Sequence, residues 1–237
     1  DFGCIGLEQE GQPTRVTTLR VDPVAALVSE FPAHEKVLPL RKNLEAHQRV
    51  IRAVMQDSTV VPLTFGQVGS SEAAVALVLR QNRDAIAEEL ERFDRRVEMG
   101  LRVFWDVPNI FEHFVRQDPD LAAYRDQIFG RSREPGQSEK IELGRMFEAR
   151  RTAERERHAD RVVEIFRPLC ADLKVNAPKG EKEVLNVAFL VGREEIKTFE
   201  EKVYEAARLF PGEYTFDFNG PWAPFNFVEL ELAIPAV

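Results

Sequence analysis

Apolar positions along the chain follow two periods, one near two residues and one near 3.6, and the switches between them predict the elements. Phe2–Leu7, Val16–Leu19 and Val24–Ser29 are short apolar or β-branched runs separated by Gly, Pro and Asp, the pattern of strands and turns. From Asn43 the register changes. Leu44, His47, Val50, Ile51, Val54 and Met55 share one helical stripe, with Asn43 a suitable N-cap and a stop near Asp57. Val60–Phe65 reads as a strand in which Pro62, lacking an N–H, is confined to the start or an edge. Ser71 opens a second helix running to about Arg95, and Val97–Asp106 alternates with Val97, Met99, Leu101 and Val103 on one face. The first hundred residues therefore predict β-β-β-α-β-α-β.

Pro108 breaks the pattern. Asn109–Gln117 and Pro119–Phe129 predict two short helices, and 130–137 a flexible crossing. Ser138–Val175 reads as one long helix interrupted only by Pro168. Its end carries a stripe of Val162, Ile165, Phe166, Leu169, Cys170 and Leu173, whereas Arg150–Asp160 is charged all round. A helix polar on every face is a solvated strut or a bridge between domains, or else a charged protein-binding face. Val184–Val191 is an almost unbroken apolar run of strand length, the signature of a central strand covered on both sides. Glu194–Phe210 is an amphipathic helix. Glu213–Asn219 alternates, with Tyr214, Phe216 and Phe218 on one face. The whole predicts an α+β chain of two domains with antiparallel or mixed sheets: residues 1–107, and 108–237 with a helical insertion over 109–175.

Composition bounds the function. In 237 residues, 44% are apolar and 30% charged, enough for a core and a wet surface. The longest apolar run, Ala73–Leu79, is too short to cross a bilayer, and DFGCIGLEQE at the start has no secretory pattern. The net charge of −8 repels phosphate backbones, which argues against nucleic acid as a partner. Residues 194–237 hold nine acidic groups against three basic. Cys4 and Cys170 read as two inert thiols of a cytosolic chain.

Catalytic patterns are missing. His34, His47, His113 and His158 are scattered, without HExxH, Cys-x-x-Cys or His-x-His, so no metal site is expected. His47, on an apolar stripe, reads as a hydrogen-bonded boundary residue. Gly66–Ser71 lies where a phosphate loop would, but lacks its Lys and its spacing, and there is no G-x-S-x-G elbow. The expectation is no enzyme and no cofactor.

The anomaly is Phe210–Phe227, with seven aromatics in 18 residues. Within it, Gly220, Pro221, Trp222, Pro224, Phe225 and Phe227 predict a stiff loop outside regular structure, since two prolines fix φ and remove two donors. These aromatics either close the core of the second domain or form an apolar contact surface for a protein partner.

The residues quoted so far converge on a known pattern. Arg41–Gln48 with NLxAHxxV, then Val61-Pro62-Leu63-Thr64-Phe65-Gly66, Val184–Val191 with LNxAFLV, and a terminal Gly220-Pro221-Trp222-Ala223-Pro224-Phe225-Asn226-Phe227 resemble, in order and over nearly the whole chain, the gas vesicle GvpL/GvpF family. The family usually shows Pro-Pro-Tyr-Ser-Phe where this chain has Ala223–Phe227. The resemblance implies two α+β domains with ferredoxin-like layers and a non-enzymatic accessory role in gas vesicle formation. It implies as partners the shell protein GvpA, which is very hydrophobic on its gas-facing side, and other accessory proteins, with a place in the cytoplasm and at the vesicle shell, its gas-facing side included. Gly220, Pro221, Trp222, Pro224, Phe225 and Phe227 are then the candidate partner-binding residues. The competing reading is a small-molecule-binding or enzymatic α+β module with its site between the domains; a single-strand nucleic-acid module would need a basic groove.

Overall fold

The computed structural model describes residues 3–4, 6–9, 12–32 and 36–234. The expected strand Phe2–Leu7 lies partly, and His34 wholly, outside them. Two compact units make up the chain: Asp1–Glu98 with Pro221–Val237, and Met99–Gly220. This division differs from a boundary at residue 107. Pro108 only follows the end of a strand that begins at Arg96, and the C-terminal segment is grouped with the first unit.

In the first unit, β1 (Glu8–Gln9) pairs with β2 (Gln12–Pro13), and β3 (Thr17–Val21) pairs antiparallel with β4 (Val24–Val28), Thr17 opposite Val28 and Val21 opposite Val24. Three helices follow: α1 (Arg41–Met55), α2 (Glu72–Gln81) and α3 (Arg83–Arg92). Helix α2 packs on β3 and β4, and α3 on β4. The stripe read from the sequence turns α1 inward through Ile51, Val54 and Met55. That helix starts three residues earlier than an N-cap at Asn43 predicts. Leu40 is its N-cap, without a side-chain bond, and Asn43 lies in the first turn, where its Nδ2 donates to the Leu38 carbonyl at 2.9 Å.

Two more expectations need correction here. Val60–Phe65 is not a strand: Pro62 offers no donor, and the Leu63 carbonyl is met by a side chain, Nε2 of His47, at 3.1 Å. The single helix expected from Ser71 to Arg95 is two. Ser71 does cap α2, its Oγ accepting from Ala74 N at 3.1 Å, but the chain breaks at Asn82. Asn82 is buried, donates Nδ2 to the Val78 and Ala233 carbonyls at 2.7 and 3.0 Å, and accepts from Ala233 N at 2.8 Å. Its amide imitates a peptide unit paired with a segment 151 residues away, which no local periodicity announces.

The second unit is built on β5 (Arg96–Trp105), α4 (Ile110–Gln117), α5 (Pro119–Phe129), α6 (Gln137–Phe166), β6 (Asp172–Asn176), β7 (Glu183–Gly192), α7 (Ile196–Ala207) and β8 (Tyr214–Trp222). The strands form one sheet in the order β6-β7-β5-β8. With one helical crossover between β5 and β6 and another between β7 and β8, this is a βαββαβ ferredoxin-like layer. Strand β6 is antiparallel to β7. Trp105 N donates to the Lys182 carbonyl and Asp106 N to that of Glu213, setting the end of β5 beside the starts of β7 and β8. As expected, β7 is central and buried almost throughout, and Val97, Met99, Leu101 and Val103 share the buried face of β5. Gly100 is needed for close approach: a Cβ there would meet Asn219 Oδ1 at 2.7 Å.

The two predicted short helices are present, and each is capped by a side chain. Asn109 Oδ1 accepts from Glu112 N, and Asp118 Oδ1 accepts from Asp120 N and Leu121 N, with Pro119 at the first helical position. Helices α6 and α7 both pack on β7. Phe166 from α6, Phe189 from β7 and Phe199 from α7 meet with ring centroids 5.0 to 5.2 Å apart, all fully buried. The expected long helix does not reach Val175. It ends at Phe166, a 3-10 turn at 167–169 carries Pro168, and Asp172–Asn176 forms β6, because Leu173 and Val175 pair with Phe189 and Val187. The 130–137 crossing is pinned: Arg131 and Arg133 bond Glu139 at 2.7 and 2.8 Å.

Candidate partner-binding surface

The aromatic segment 210–227 is shared between the units. In the second unit Phe210 is buried, and Tyr214, Phe216 and Phe218 lie half-buried along β8, while Thr215 and Asp217 are exposed, as the alternation predicts. The expected loop at Gly220–Trp222 is instead the end of β8. Proline is compatible with this position because β8 is an edge strand. Gly220, at φ 134°, supplies a conformation that side-chain-bearing residues avoid.

The rest belongs to the first unit. Phe225 N donates to the Ala223 carbonyl at 2.7 Å and Phe227 N to that of Pro224 at 3.0 Å, folding 223–227 into tight turns. Ala223, Pro224 and Phe227 are buried, Pro221 is exposed, and Trp222 and Phe225 lie between. Three side chains fix the segment. Glu98, buried in β5, accepts from Asn226 N at 2.8 Å and from Asn226 Nδ2 at 2.6 Å. Arg92 Nη1 donates to the Phe227 carbonyl at 3.1 Å, and the Arg52 guanidinium stands over the Trp222 ring at 4.9 Å. Burial pushes the Glu98 carboxyl above its ordinary range, with the Asn226 bonds pulling the other way. Of the six candidates, Pro224 and Phe227 support the segment from within, and Gly220, Pro221, Trp222 and Phe225 reach solvent. The sequence reading missed Glu98 and Arg52. An acidic residue inside an apolar strand was a signal for Glu98; none existed for Arg52.

The charged stretch of α6 is no solvated strut. Arg150 pairs with Asp118, and Arg155 donates to the carbonyls of Gly180, Glu181 and Glu183, with Trp105 beneath it at 5.5 Å. Glu183, fully buried, takes Arg102 Nε at 2.7 Å. His158 is buried, its Nε2 at 2.8 Å from both Glu154 Oε1 and Tyr214 Oη, and its ring lies on Phe210 at 4.7 Å. Burial holds the His158 imidazole below its ordinary value of 6.5, outweighing Glu154, while Arg157 and Arg161 act in the same sense as burial. Burial also pushes the Tyr214 hydroxyl up to about 12. Glu154 is itself partly buried, yet Arg157 and His158 hold it below the ordinary carboxylate range.

The sign follows by linkage. The unfolded chain takes up the His158 proton near 6.5 and the folded chain only lower, so this stability is present above 6.5 and lost as pH falls below it. Glu154 adds a loss of the same sign below 4.5. The second unit should therefore melt lower at pH 5.5 than at pH 7.5, and His158→Gln should flatten that difference. Equal slopes for wild type and variant in pH-resolved calorimetry would refute it.

Elsewhere the features are plain. His47 lies edge-on to Phe65 at 5.6 Å, in line with its boundary reading. Cys4 and Cys170 are free thiols, and burial pushes Cys170 up to about 11. No group of three His, Cys, Asp or Glu side chains able to hold a metal occurs among the described residues, and none of their helices is long and apolar enough to cross a membrane. An apolar groove of about 450 Å³ lies between Ile165, Pro168 and Leu169 on one side and Ala206 and Leu209 on the other.

Against known proteins, the family model described as gas vesicle synthesis protein GvpL/GvpF matches residues 4–229. The chain is 27% identical over 235 residues to gas vesicle protein F of Dolichospermum flosaquae, covering 95% of this chain and 92% of that one. Its fold is similar to the crystal structure of the gas vesicle protein GvpF from Anabaena sp. PCC7120, with a TM-score of 0.80, 25% identity and coverage of 92% and 90%. GvpF from Microcystis aeruginosa shares the fold at a TM-score of 0.76 and 21% identity, with the same coverage.

Proposed function

This chain belongs to the GvpL/GvpF family of gas vesicle synthesis proteins, and from that premise we propose that it is a non-enzymatic accessory protein of gas vesicle formation that binds the hydrophobic shell protein GvpA and assists its assembly. It acts in the cytoplasm and at the shell, its gas-facing side included, and works beside other accessory proteins. A partner that hides a large apolar face in water needs an apolar contact on a charged, well-solvated body. The observation that carries the reading is the segment 221–227: Trp222 and Phe225 reach solvent on a backbone stiffened by two prolines and held from beneath by Glu98 and Asn226. Aromatic anchors that are ordered before binding lose little entropy on docking, which is what makes such residues dominate interfaces. Gly220 and Pro221 set the exit of the strand, and Pro224 and Phe227 support the turn. The acidic balance of the C-terminal stretch favours basic groups of a partner, chiefly through the association rate.

The test is capture of freshly translated shell protein by the purified chain, in a lysate free of other vesicle proteins. Capture should survive high salt, and the double change Trp222→Ala with Phe225→Ala should reduce it about ten-fold or more while circular dichroism and melting stay near wild type. Undiminished capture by the double variant would remove these residues from the interface, and no capture by wild type would remove the shell protein as direct partner.

A further inference from the structure

One helix of the first unit carries exposed leucines that folding does not explain. Leu38, Leu40 and Leu44, at and just before the start of α1, are 52%, 50% and 41% exposed. Their backbone is well fixed: Leu40 N donates to the Leu38 carbonyl at 2.8 Å, and the Leu40 carbonyl accepts from Asn43 N and Leu44 N. Leucine at an N-cap satisfies no helix donor, where Ser, Thr, Asp or Asn would. Leu63 is also 42% exposed, and its carbonyl is tied to α1 by His47, one turn beyond Leu44.

The patch continues along the helix. Leu44, Gln48 and Arg52 follow at i, i+4 and i+8 and so share one face, and the exposed Arg52 ends under the Trp222 ring. Fifteen residues of α1 make this strip roughly 22 Å long at 1.5 Å per residue. Its charge opposes that of the chain: residues 36–52 hold five basic groups, Lys36, Arg41, Lys42, Arg49 and Arg52, against one acidic, Glu45, in a chain of net −8, with Lys42 also reaching Glu8 at 3.5 Å in an exposed pair. Glu45 pairs with Arg41 in full solvent, a contact worth little.

We propose that this face of α1, from Leu38 to Trp222, is a docking strip for an acidic amphipathic helix of a partner protein, its apolar side on the leucines and its carboxylates toward the basic groups. The proposal rests on the partner-binding reading above and gives it a second contact of defined chemistry. Apolar area supplies the affinity; the local excess of cations selects against basic helices and fixes orientation.

The probes are two fluorescein-labelled 18-residue helical peptides with the same leucine face, one with Glu and one with Lys on the polar face, titrated onto the full chain by anisotropy. Wild type should bind the Glu peptide at least ten-fold tighter than the Lys peptide. Leu40→Ser with Leu44→Ser, and separately Arg49→Glu with Lys42→Glu, should each weaken the Glu peptide about ten-fold with unchanged circular dichroism. Equal affinity for the two peptides, or variants that bind like wild type, would overturn the proposal. So would reversible dimerisation in sedimentation that the leucine variant abolishes, which would make a second copy the occupant. Because no shell protein enters this assay, its failure leaves the capture experiment standing, and the reverse.

Discussion

Replacing Phe199 by alanine is expected to cost the second unit about 3–5 kcal/mol, the range for emptying a buried aromatic site. The ring is fully buried on α7 and touches Phe166 at 5.0 Å, Phe189 at 5.1 Å and Phe218 at 5.9 Å. One deletion therefore strips partners from α6, β7 and β8 at once. Neighbouring rings lie on three separately fixed backbones and have little freedom to close the void. For a unit of this size the loss corresponds to a fall in melting temperature on the order of 10–20 °C. Differential scanning calorimetry of the full chain checks it; a fall under about 3 °C would mean that the three aromatics are not the centre of that core. Phe199→Leu, which keeps most of the volume, should recover a large part of the loss.

The next largest effect is expected at Asn226→Ala. That change leaves Glu98 Oε1, buried in β5, without its 2.6 Å donor, while Oε2 keeps the backbone N–H of residue 226. A charged group that loses such a bond costs about 1.5–3 kcal/mol at neutral pH. The pH dependence separates this from simple packing. Glu98 lies above its ordinary 4.5 through burial, so its own contribution is full below 4.5 and is lost as pH rises through the folded value. The Asn226 donor favours the carboxylate, so its removal moves that value higher still. The difference between wild type and variant is then full at neutral pH and shrinks as acid protonates the variant first and wild type after it. Asn226→Ser, which has the residue usual in the family pattern, keeps a donor and should lose less. Denaturant unfolding at pH 7 and pH 4 measures both, and an equal loss at the two would contradict the mechanism.

What was legible in the chain was whatever a short window decides. The central strand β7 shows as an almost unbroken apolar run, β5 as alternation, the start of α2 through its cap Ser71, and α4 and α5 as short helical stretches after Pro108. What stayed hidden was decided at long range. Asn82 breaks a continuous helical pattern because its amide pairs with Ala233, and Asp172–Asn176 is a strand because β7 lies beside it, although its apolar residues also fit a helix. Arg150–Asp160 looked like a solvated rod because its partners, Asp118 and the carbonyls at 180–183, are remote in sequence. The same holds at the candidate surface. Trp222 and its prolines stood out by composition, whereas Glu98 and Arg52, which hold that segment, are ordinary charged residues until the fold places them.

The two outer strands of the sheet bear on how the protein avoids self-association. An open sheet edge is a template on which another chain can polymerise. Here β8 carries Pro221, which has no N–H to offer, one residue before its end and just after a Gly220 whose backbone leaves the regular pleat, and β6 on the opposite side is five residues long with Asp172 and Lys174 along it. A sheet furnished in this way resists extension by another chain at both of its outer strands.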